Sequence, residues 1–151
     1  MKGFKSIIVM LAAGVLALSC SKDEPAGNQY LPVTSNNISG QWQVVEWNGA
    51  PFAEGTWLYL EFVRKDAKLT IYQNFDSMGQ MPHVITGVFN ITKDDMRGYI
   101  LQGMYDNDEG MFAHKYIVQK LTKNSMEWVA EDDPAFVMNF ERCVIPDGLK
   151  K

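Results

Sequence analysis

Reactive side chains are few in this sequence, and their spacing restricts the chemistry open to them. His83 and His114 are the only histidines, and neither has a cysteine or a second histidine at metal-ligand spacing. Zinc takes three or four such ligands, so no zinc site is expected. Asp106-x-Asp108-Glu109 looks like the opening of a calcium loop but lacks the rest of the pattern. Glu131-Asp132-Asp133 is a similar acidic turn. Each either takes calcium weakly or is a solvated hairpin. Cys143 falls on the last expected strand and reads as a small packing residue rather than a nucleophile. Gly-x-Ser-x-Gly and phosphate-loop patterns are absent, and no histidine lies near a serine or cysteine in sequence. Residues brought together only by folding can still form a triad. The reading is nonetheless a non-enzyme with no cofactor and no metal.

The 151 residues predict one domain between two short ends. An apolar fraction of 46% and an aromatic fraction of 12% describe a globular core rather than a disordered chain. The net charge of −4 comes with no basic cluster, which excludes nucleic acid as a partner.

From Ser39 onward the apolar residues alternate with polar ones, the period of strands. Strands are predicted over Gln41–Trp47, Trp57–Arg64, Leu69–Phe75, His83–Ile91, Tyr99–Tyr105, Met111–Lys120, Ser125–Ala130 and Ala135–Arg142. The turns between them are short and polar. Eight strands in this order favour an all-β, antiparallel, up-and-down barrel, which closes and leaves no edge exposed. An open sandwich is the alternative. The phases place Leu60, Phe62, Ile71, Phe89, Phe112, His114, Tyr116, Trp128 and Met138 in the interior. So many large residues predict an interior that is filled or shallow, although a barrel of this size can hold one small ligand. The first strand is ambiguous, because Val45 and Trp47 make its second face apolar too. The loop Asn74–His83 carries Met78 and Met81, as an adaptable lid or as plain surface.

The N-terminus points to a location. Lys2 and Lys5 precede an unbroken apolar or small run from Ile7 to Leu18, too short to cross a bilayer but suited to a signal-peptide core. An uncleaved anchor is the alternative. Ala17-Leu18-Ser19-Cys20 resembles a bacterial lipoprotein signal, with the two residues before Ser19 in reversed order. That resemblance implies lipidation of Cys20 and attachment to a membrane. Ser21-Lys22-Asp23-Glu24 resembles the acidic export signal of Bacteroidetes surface lipoproteins, which implies an outer-membrane, outward-facing location; a solvated charged linker is the plainer reading. Residues 20–37 then form a lipidated flexible tether after a signal peptide of residues 1–19.

Gly40-x-Trp42 opening the first strand, with Arg142 ending the last, resembles the lipocalin-like proteins. Gly87-Val88-Phe89-Asn90-Ile91 also looks like a mid-barrel strand of small bacterial members. The resemblance covers a domain of residues 38–145, followed by a tail of 146–151. It implies a Trp that closes the barrel floor under an Arg from the far end of the chain. The chain lacks the C-terminal helix and disulfide of large lipocalins. A small apolar or amphipathic ligand is the expected partner; a protein of the envelope, or a protease met by the loops, is the alternative.

Overall fold

Residues 29–74, 82–107 and 109–150 are described by the computed structural model. The expected signal peptide, Cys20, Ser21–Glu24, Phe75, both methionines of the long loop and Asp108 lie outside them.

Nine strands form a single antiparallel sheet: β1 (Gly40–Trp47), β2 (Ala50–Pro51), β3 (Leu58–Val63), β4 (Lys68–Gln73), β5 (His83–Asp94), β6 (Gly98–Tyr105), β7 (Tyr116–Gln119), β8 (Ser125–Ala130) and β9 (Val137–Arg142). From β3 to β9 each strand pairs with the next in sequence, while β1 pairs with both β3 and β9. The two-residue β2 only folds back on the end of β1. The result is a closed, eight-stranded, up-and-down antiparallel barrel. Closure satisfies the backbone donors and acceptors that an open sheet would leave on its edges.

Alternation builds the wall. In β3, Leu58, Leu60 and Phe62 are buried, and in β8 Met126, Trp128 and Ala130 are. The two apolar faces of β1 are resolved by a bulge between Val44 and Glu46. An extra residue there flips the phase of everything after it. Trp42 and Val44 face inward before the bulge, and Trp47 returns to the interior opposite Met138 after it.

Two segments depart from the sequence expectation. The sixth expected strand, Met111–Lys120, shrinks to Tyr116–Gln119. Before it the chain joins β6 through the isolated bridge Met104–Met111 and the bonds from Tyr105 N–H to Gly110 O and from Phe112 N–H to Gly103 O. Gly103 has no side chain because the Phe112 ring occupies the space a Cβ would need. The ring therefore plugs the wall where the strands separate. Residues 31–37, expected within a flexible tether, are instead packed. Leu31 N–H bonds Leu121 O, Val33 and Ile38 are buried, and a short helix α1 (Ser35–Ile38) starts at the Thr34 cap. Apolar Leu31, Val33 and Ile38 gain more by covering the barrel's open bottom than by hydration.

Candidate functional site

The barrel has a floor and a mouth. At the floor Trp42 is fully buried and its Nε1 donates to Ile38 O at 2.8 Å. The Arg142 guanidinium lies over the indole, 3.8 Å from the ring centroid. Its Nη2 donates to Asn37 O at 2.7 Å, Nε to Lys123 O at 3.2 Å, and Nη1 to Ser39 O. Partial burial lowers the Arg142 pKa from its ordinary value, without removing the charge at any physiological pH. Gly40 adopts φ +115°, and a Cβ there would run into the guanidinium. Gly40, Trp42 and Arg142 thus form one interlocked cap that ties the first strand, the last strand and α1 together.

Above this cap the interior is layered. Phe62 and Phe89 meet edge to face at 5.0 Å, and Phe62 meets Trp128 at 5.9 Å. Phe62, Phe89 and Leu101 fill the lower half, and Trp128 and Phe140 lie between it and the space above. The upper half is hollow. A cavity of about 420 Å³ opens between the ends of β1, β3, β4 and β9 and the chain around Phe112. A volume of that order fits a small-molecule site.

Of the interior positions expected from sequence, Leu60, Ile71, Phe112, His114, Tyr116, Trp128 and Met138 line this cavity. Phe62 and Phe89 do not line it; they are packed beneath it. Alternation tells inside from outside but not height along the barrel axis. Phe62 pairs with Gly40, which sets it at floor level. Of the two forms expected, a filled or a shallow interior, the barrel takes the second: packed side chains below and a cavity above. Trp47, Tyr105 and Phe136, which sequence reasoning did not place, complete the aromatic wall. Trp47 is reached only through the bulge, and Phe136 has inward spacing with Met138 and Phe140 that was visible in the sequence.

The polar groups of the cavity are mostly neutral. Tyr116 is pushed up to about 12, chiefly by burial and then by its neighbours Tyr105 and Asp132. Burial, then Glu109, raises Tyr105 as well. Both hydroxyls remain protonated near neutral pH. His114 stacks on Phe136 at 4.8 Å, and its Nδ1 lies 2.7 Å from Asp132 Oδ1. The bond from His114 holds the Asp132 carboxyl below the ordinary carboxylate range. Trp128 Nε1 is buried with no hydrogen-bond partner among the described residues. Cys143 lies beyond the end of β9, away from the cavity lining, and burial pushes its thiol up. His83 sits on the outer end of β5, exposed. Asp106 accepts from the Thr86 hydroxyl, and Glu109 reaches the cavity rim. Among the described residues no group of three or more His, Cys, Asp or Glu gathers closely enough to hold a metal.

No protein-family model matches this chain, and no curated protein matches it either.

Proposed function

We propose that this chain is a lipid-anchored protein of the outer membrane whose lipocalin-like barrel binds a small apolar or amphipathic ligand, without catalysing a reaction on it. The observation that carries the reading is the half-hollow interior: a closed barrel with a packed floor and a cavity of about 420 Å³ walled by aromatic and aliphatic side chains. Folding gains nothing by leaving apolar surface unpaired, so an empty apolar cavity is a cost that binding relieves. The orientation fits a tether. The described chain enters at the floor, where Leu31 bonds Leu121, so an anchor at Cys20 leaves the mouth facing away from the membrane.

The test is displacement of an environment-sensitive apolar fluorophore from the barrel, in parallel with an Ile71→Trp variant. Ile71 lines the cavity from β4, and an indole there fills space a ligand would use. Saturable binding that Ile71→Trp abolishes while the fold persists supports the reading; no binding to the native chain overturns it. Replacing Cys20 by Ser should move the protein out of the membrane fraction, and retention there would refute the lipid anchor.

A second reading has its own observation. Val88 is 41% exposed, Met104 54% and Met111 65%, and the register sets them side by side on the outer wall. An apolar row of this kind suits a protein partner from the envelope. Charge substitution at Met104 that left ligand binding intact but removed a co-purifying protein would favour it.

A further inference from the structure

We propose that the cavity is selective for cationic amphiphiles, an ammonium-type head on an apolar body, over carboxylate-headed molecules of the same length. The inference rests on the ligand-binding reading above and specifies its chemistry.

Three independent features converge on the mouth. The first is what lines it. No lysine or arginine lines the cavity, while the Glu109 carboxylate stands at its rim. An anionic head drawn into the apolar mouth would lose water and find no counter-charge, a costly combination. The second is the aromatic collar. Tyr105 and Phe112 pack at 5.0 Å, Trp47 and Phe136 at 5.3 Å, and His114 and Phe136 at 4.8 Å. Ring faces gathered this closely present negative quadrupole surface, which attracts a cation within about 6 Å of a centroid.

The third feature is how charge is divided along the barrel axis. At the open end the described loop residues are 48–57, 74, 82, 106–107, 109–115 and 131–136, and Lys115 is the only lysine or arginine among them. Against it stand Glu54, Asp106, Glu109, Asp132 and Asp133. Glu131 is in the same loops but is paired with Arg97 on the outer wall. Asp132 faces His114, which offsets it only when the imidazole is protonated. Lys115 is exposed and lies outside the cavity lining. The opposite end reverses the balance: in or beside its turns Arg64, Lys65, Lys93, Arg97, Lys120, Lys123 and Lys150 stand against Asp66, Asp94, Asp95 and Asp147. The barrel is therefore polarised, negative at the mouth and positive at the floor. That field favours the approach and residence of positive heads at the entrance.

The experiment compares decyltrimethylammonium, decanol and decanoate, all below their micelle concentrations, as competitors for the bound fluorophore on the full chain. The ammonium should bind about ten-fold or more tighter than the carboxylate at low salt, a gap that narrows as salt screens the mouth. Glu109→Gln should shrink the gap several-fold while leaving decanol unchanged. Tyr105→Phe keeps the ring and should keep the gap. Decanoate binding as tightly as the ammonium would overturn the proposal, and so would a preference insensitive to both Glu109→Gln and salt. Failure of all three competitors, decanol included, would instead sink the ligand-binding reading on which it stands.

Discussion

Replacing Arg142 by Ala removes a single side chain that makes contacts with three separate parts of the floor. Its guanidinium donates to the carbonyls of Ser39, Asn37 and Lys123 and covers the Trp42 ring at 3.8 Å. Hydrogen bonds to a charged group contribute about 1.5–3 kcal/mol each, and a partly desolvated cation–π contact about 1 kcal/mol. The site is half-buried, so water can replace part of what is lost, and the bonds are not additive. A loss of about 3 kcal/mol is expected. With a urea m-value of about 1.5 kcal/mol/M, the unfolding midpoint falls by about 2 M. Tryptophan fluorescence is a suitable probe, because Trp42 lies beneath the substituted residue. Arg142→Lys keeps the charge but not the planar fork, and should recover less than half of the loss. An Arg142→Ala midpoint within about 0.5 M of the parent would refute the interlocked floor, and so would full recovery by lysine.

Further outcomes follow from the same geometry. Gly40→Ala forces a Cβ into the guanidinium at a backbone angle that side chains rarely adopt, and should cost about 2–3 kcal/mol in the same urea assay. Trp42→Ala should cost about 3–5 kcal/mol, and a near-neutral result would contradict its place in the floor. Asp94 is held at about 2 by the Arg97 side chain and by the backbone N–H groups of Arg97 and Met96. A carboxyl depressed on folding contributes stability above its unfolded pKa and loses it as pH falls through the folded value. Asp94→Asn should therefore flatten the fall in stability between about pH 4 and pH 2, measured by urea titration at stepped pH, and an unchanged slope would contradict the pairing. His114→Ala frees the 131–136 turn from the 112–115 chain, and should raise amide exchange at Glu131–Phe136 without changing exchange at Trp42.

The wall of this barrel was legible in the sequence because period-two alternation is a strong local signal. It placed Leu60, Trp128 and Met138 inside without any knowledge of pairing. What was not legible depends on contacts distant in sequence. The bulge at Val45 belongs to the pairing of β1 with β9; the apolar Val45 and Trp47 showed that the strand's phase was ambiguous but not where it would shift. The shortening of the sixth strand depends on Phe112 entering a space left by Gly103. The packing of Leu31 and Val33 looked like tether because a polar, Gly- and Pro-containing stretch precedes them, yet a few apolar side chains suffice to dock a segment on an uncovered apolar end. The cavity itself was the hardest feature to foresee. Whether large inward residues fill a barrel depends on their heights, and Phe62 and Phe89 both fall to the floor level, leaving the upper half to side chains that line rather than fill it.

The most direct test of the central claim, that the upper half of the barrel holds a ligand, is native mass spectrometry of the gently purified full chain beside the Ile71→Trp variant. The expected spectrum of the parent shows a reproducible added mass that disappears on denaturation and is missing from the filled variant. A clean apo mass for both proteins, unchanged after incubation with neutral, cationic and anionic amphiphiles, would contradict it.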